Sequence, residues 1–208
     1  MSDEPEHATG LNDPRAVEIL TTEHWSLLSA RSLGYQEMFG RATIFVTILS
    51  GIVIALTLMA QATAFGRDTL LTALLLVSVA LFIGLATFVR SVAINYEDAV
   101  WVAGMKRLRE AYVQIVPELK PFFVAIHEKP LAHGAPQHMA NLASSLTTTS
   151  SVIAALNSIL AGSFAGDVAA LCGSGLATIV ISGVSVSLVS AVAHVRYASR
   201  FRRKHPPS

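Results

Sequence analysis

The stretch Ala42 to Phe65, ATIFVTILSGIVIALTLMAQATAF, contains no charged residue. About 20 mostly apolar residues are needed for a helix to cross the ~30 Å hydrocarbon core of a bilayer. This run meets that length, and it decides the fold class. Working outward, Thr69 to Val89 (TLLTALLLVSVALFIGLATFV) is equally free of charge. Only Gly66, Arg67 and Asp68 separate the two runs, so the spacing predicts two membrane-crossing helices joined by a tight turn.

The second half repeats the plan. No Lys, Arg, Asp or Glu occurs from Pro130 to Gly166. Residues 146–164 form a third span, rich in hydroxyl and amide groups: Thr147, Thr148, Thr149, Ser150, Ser151, Asn157 and Ser158. Residues 168–195 form a fourth, and Asp167 with its neighbours is expected to turn the chain between them. Lipid offers backbone N–H and C=O groups no partners, so each span must be helical. A β-barrel would need alternating strands of about 10 residues, which these continuous apolar runs exclude.

The reading is an all-α, polytopic membrane protein with four transmembrane helices in two hairpins. Whole-chain composition agrees: 52% hydrophobic and 14% charged residues, with a mean hydropathy of +0.55. Soluble domains are nearer ~25% charged. The net charge of +1 carries no excess that would suit nucleic acid. Met1 to Glu23 is acidic and polar, unlike the basic start and short apolar run of a secretory signal. The single Cys172 cannot form an intramolecular disulfide.

Basic residues flank the spans on one side. Arg31, Arg41, Arg90, Lys106, Arg107 and Arg109 fall in the segments expected to be internal, as do Arg196, Arg200, Arg202, Arg203 and Lys204. The two expected outer turns hold only Arg67. Basic loops stay cytoplasmic, which predicts an inner-membrane protein with both termini and the middle loop in the cytoplasm. The expected divisions are an acidic, disordered tail (1–21) and an amphipathic helix, first hairpin and cytoplasmic helix (22–116). A short helix with linker (117–145), the second hairpin (146–195) and a basic tail (196–208) complete them.

Two amphipathic stretches border the first hairpin. Trp25, Leu28, Ser32, Tyr35, Phe39 and Ala42 recur at alternating spacings of three and four. Ile94, Trp101, Met105, Leu108, Tyr112 and Ile115 keep a similar rhythm, with Asp98 the one polar break. Such spacing is the seam of packed helices. It predicts that the first two spans continue into the cytoplasm as a paired stalk, the alternative being helices lying on the membrane surface. Thr22 is the expected cap of the first helix. Pro117 should stop the second near Val116 and begin a short helix through Phe122 and Phe123.

Candidate sites are few. His133 and His138 have no further ligands beside them for a zinc site. Glu97, Asp98 and Glu110 read as a solvated helix face. P-loop, GxSxG, HExxH and CxxC patterns do not occur where they could work, so no enzyme, cofactor or metal is expected. Glu128, His127 and His194 are the thin candidates for lipid chemistry. His194 could respond to pH or mark the inner interface beside Tyr197. The spans contain no Asp, Glu, Lys or Arg, the groups ion-coupled transporters commonly place there. Helix packing or the lining of a pore therefore falls to Asn157, Thr148 and Ser151 on the third span and to Ser174, Thr178 and Ser182 on the fourth. Ser190 continues the four-residue steps of the fourth span past Val186. Gly175, Gly183 and Ser187 widen the row into a small-residue face, and small residues let helices approach closely in lipid. The expected partners are the lipid bilayer and either further copies of the chain or another membrane protein.

The layout, with TTEHWSLLSARSLGYQEMFGRA leading into a span, resembles small four-span integral membrane proteins of bacteria, actinobacteria especially. Arg exceeds Lys, and Ala and Val are abundant, as GC-rich bacterial genomes favour. The first half is also similar in layout to bacterial effectors in which a two-helix membrane hairpin carries cytoplasmic helices and forms pores. That likeness implies an oligomeric pore as the alternative function and carries over no functional residue.

Overall fold

A computed structural model describes residues 10–64, 66–123 and 148–204. Four long helices dominate: α1 (Ala16–Thr63), α2 (Arg67–Ile115), α3 (Thr149–Leu171) and α4 (Leu176–Lys204). Short 3-10 turns occupy Gly10–Asn12 and Pro117–Phe122. All four helices are long and apolar enough to cross a membrane, and no strand occurs among the described residues.

Helix α1 begins at Ala16, six residues before the expected cap at Thr22. Asp13 accounts for part of the difference. It accepts hydrogen bonds from the Arg15 backbone N–H (2.8 Å) and guanidinium, and its carbonyl receives the Ala16 N–H. The turn into α2 uses Ala64 in the left-handed region (φ 49°). Gly66 then precedes α2, and Asp68 lies in its first turn, where a carboxylate suits the positive end of the helix dipole. Helix α2 ends at Ile115, because Pro117 disfavours helical geometry at the residue before it.

The second turn lies later than Asp167, which sits within α3. Gly173 sets the position, with φ +74°. Its N–H bonds the Ala170 carbonyl at 3.0 Å, and the Ser174 N–H bonds that of Ala169 at 3.1 Å. This paired closure is the Schellman motif, which favours glycine because a Cβ is strained there. Asp167 offers no such termination.

Helices α1 and α2 run side by side in opposite directions. Thr63 meets Thr69 at the turn, Gly34 receives the Trp101 ring further along, and Leu27 lies against Gly104. On α2 the seam falls where the spacing placed it: Ile94 and Met105 are buried, and Trp101, Leu108 and Tyr112 are half-buried. The polar break is also met, since Arg31 Nε donates to Asp98 at 2.6 Å and the Tyr35 hydroxyl at 3.2 Å. On α1 the inward seam is displaced by one residue. Gly34 and Met38 are buried and Leu27 is half-buried, whereas Trp25 and Phe39 remain 63% and 56% exposed. The displacement follows from the Trp101 ring, which needs the side-chain-free surface of Gly34.

One ion cluster joins the two helices near the charge-free runs. Glu37 accepts from Arg41 and Arg90, and Arg90 also donates to Glu97, each contact at 2.8 Å. The Arg90 guanidinium, then that of Arg41, draws the Glu37 carboxyl from 4.5 to about 2. A depressed acid stabilises the folded state above its unfolded value and loses that contribution as pH falls. Acidification from about 4.5 towards 2 should therefore loosen the α1–α2 pair by about 1 kcal/mol, the scale of a solvent-screened pair. Fluorescence of Trp101 across this range tests it, and Glu37→Gln is expected to remove the transition.

The main core collects Phe45, Val77, Ala80, Phe88, Ile153 and Leu160 from α1, α2 and α3. Helix α4 packs chiefly against α3. Its tie to α2 is aromatic: the Phe88 ring stands edge-on to His194 at 4.5 Å, and Tyr96 meets Phe201 at 5.9 Å.

Candidate functional site

Polar side chains inside the bundle sort into two groups by what their atoms bond. Most hydroxyls turn back on their own helix. Thr87 donates to the Ile83 carbonyl, Ser91 to Thr87 and Ser158 to Ala154, all within 2.8 Å. An i−4 bond of this kind satisfies the hydroxyl locally and leaves it little to offer elsewhere. Ser150 is different, because it accepts from Asn95 Nδ2 across the α2–α3 contact at 2.7 Å.

The second group is small. Asn157 is completely buried, and neither atom of its amide has a hydrogen-bond partner among the described residues. It lies where three helices meet, in the space left by Gly84 of α2 and next to Phe45 of α1. A Cβ on Gly84 would overlap Asn157 Oδ1 and stand 2.8 Å from Phe45 Cε2. The glycine is thus the socket for the amide. An unsatisfied buried amide costs about 1–3 kcal/mol, which makes Asn157 the most strongly marked of the expected residues.

His194, on α4, is also buried. Its Nδ1 lies 2.7 Å from the Ser190 carbonyl. A carbonyl only accepts, so Nδ1 carries a proton. Nε2 has no hydrogen-bond partner among the described residues, and the ring abuts Phe88. The residue ties α4 to α2.

The remaining sequence candidates are scattered. Thr148 caps α3: its Oγ1 accepts from the Ser151 N–H at 3.3 Å and lies 2.8 Å from Ser151 Oγ. Both residues stand at the start of α3, about two turns from Asn157. Ser174 closes the α3–α4 turn through its backbone. Ser182 is half-buried and donates to Ile179, and Thr178 is exposed. These six residues do not converge. The fourth helix meets α3 through Gly183 and Ser187, both members of the expected small-residue face, which fit against Gly162. The Gly162-x-x-x-Gly166 spacing was the available signal for this contact. Thr147, Glu128, His127, His133 and His138 lie outside the described residues. Among the described residues no group of three His, Cys, Asp or Glu side chains is placed to hold a metal.

No protein-family model, curated protein or solved structure matches this chain.

Proposed function

We propose that this chain is a non-enzymatic, multi-pass inner-membrane protein that works by helix association. In this reading its spans form two hairpins, and both termini and the residues between α2 and α3 are cytoplasmic. The observation that carries the reading is the form of α1. It is one uninterrupted helix of 48 residues, about 72 Å at 1.5 Å per residue. The hydrocarbon core takes only ~30 Å of that. The rest carries Arg31, Glu37 and Arg41, and it keeps Trp25 and Phe39 exposed. In water an exposed aromatic surface of this kind marks an interaction site. Basic residues beside the same ends of the spans support the cytoplasmic orientation.

A reporter fused after Ser208 is expected to be active in its cytoplasmic form and silent in its periplasmic form. Chemical crosslinking in native membranes is expected to trap a complex. A chain that remains alone at every expression level would refute association.

The unpartnered amide of Asn157 favours a second reading, an oligomeric pore in which the amide meets water or ions once the helices rearrange. Reconstitution into liposomes distinguishes the two, because solute flux across the vesicle wall belongs only to the pore.

A further inference from the structure

Helix α1 carries two seams. One faces α2 through Leu27, Gly34 and Met38. The other, displaced by one residue and so by about 100° around the helix, is the row Trp25, Leu28, Ser32, Tyr35, Phe39, Ala42 and Val46, of which Tyr35 also reaches Asp98 on α2 through its hydroxyl and Ala42 packs partly against the core. This second row keeps alternating spacings of three and four throughout. Trp25, Leu28, Phe39 and Val46 are 63%, 41%, 56% and 45% exposed. Two seams about a right angle apart are what a helix needs in order to touch two neighbours at once.

We infer that the second neighbour is α1 of another copy of this chain, the two helices running in parallel about a two-fold axis. This rests on the cytoplasmic orientation proposed above. Continuity supplies the first argument. The row passes from the charged segment, across Arg41, into the charge-free run at Ala42 and Val46. A soluble partner could cover only the outer part, and lipid only the inner part. A second copy follows the row on both sides of the boundary.

Direction supplies the second argument. Because α1 is unbroken from Ala16 to Thr63, it leaves the bilayer along the axis of its span. Trp25 then stands about 20 Å beyond Phe39, out of reach of the membrane surface. Identical insertion of both copies makes the pairing parallel and in register.

Charge supplies the third. A symmetric parallel contact sets each side chain against its own counterpart, so any charge on the seam would meet a like charge. None is present along the row, and the flanking Ser29, Gln36 and Thr43 are uncharged. Arg31, the nearest cation, is neutralised by Asp98. The hydroxyl of Ser32 is met by Gln36 at 3.4 Å within the same helix. An isologous contact of this kind closes at two copies.

Crosslinking of single-cysteine variants in native membranes tests the pairing. The full-length chain with Cys172→Ser serves as background, and a short bismaleimide is the probe. Ser32→Cys lies on the row, and Leu33→Cys is exposed but off it. Severalfold more dimer is expected from Ser32→Cys than from Leu33→Cys, and Trp25→Glu combined with Phe39→Glu is expected to abolish the excess. Equal yields from the two cysteines, or a product whose mass contains a different protein, would overturn the inference. The reporter after Ser208 separates the failures. A cytoplasmic reporter with no Ser32 dimer removes only the pairing, whereas a periplasmic reporter removes the orientation on which it stands.

Discussion

Replacing Gly162 with valine is expected to force α3 and α4 apart, at a cost of about 3 kcal/mol, the upper range for inserting bulk into a packed contact. A Cβ at this position would overlap Ser187 Oγ and stand 2.5 Å from the Gly183 carbonyl oxygen. The first obstacle is a small side chain that can rotate. The second is backbone, which can yield only if α4 itself shifts. Between helices in lipid there is little hydrophobic drive to restore the contact, because lipid tails solvate apolar side chains as well as a neighbouring helix does. Unfolding in mixed detergent, followed by helical signal, measures the loss. Gly183→Ala is the graded comparison: its Cβ would lie 3.2 Å from the Gly162 carbonyl oxygen, so a milder loss is expected. Equal stability of Gly162→Val and the parent chain would contradict the close approach of these helices.

The second large effect concerns Gly84 and Asn157. Gly84→Ala is expected to destabilise the bundle by about 2–3 kcal/mol, because the added methyl takes the space of the Asn157 amide. With Asn157→Ala already present, most of that cost should disappear, leaving the 2.8 Å approach to Phe45. The double-mutant cycle isolates the coupling between the two positions. Asn157→Leu should act in the opposite direction. It keeps the approximate shape, removes an unsatisfied amide, and is expected to stabilise the protein by about 1–2 kcal/mol. If liposomes show flux, the same variant is expected to abolish it, since the pore reading needs the amide.

Features carried by a single segment were the most legible from sequence. A charge-free run such as residues 42–65 specifies a membrane-length helix through composition alone, so all four helices could be placed. The end of α2 was legible for a similarly local reason, the geometry that Pro117 imposes. The end of α3 was misplaced. Asp167 was the nearest charge, but a single carboxylate does not break a helix, whereas Gly173 in a left-handed conformation does. The first seam of α1 was offset for a different reason. The large apolar residues Trp25, Leu28 and Phe39 make the more prominent pattern, yet the inward position goes to Gly34 because Trp101 on α2 requires the space. A periodicity argument weighs what a residue adds and does not register a residue useful for what it lacks. Gly162 and Gly84 are hard to read from sequence on the same ground. Asn157 could be singled out, because an amide amid aliphatic residues is conspicuous. That its socket is Gly84 depends on how α2 crosses α3, which no single segment encodes.

The unbroken course of α1 has a mechanical consequence. It lacks proline throughout, and between Trp25 and Phe45 it also lacks a Gly/Ser pair, the usual places for a sharp kink. Whatever grips the helix near Trp25 tilts or rotates Phe45 as part of the same rod. Phe45 rests against the socket of Asn157, so a push applied at one end of the lever is delivered to the least satisfied group at the centre of the bundle.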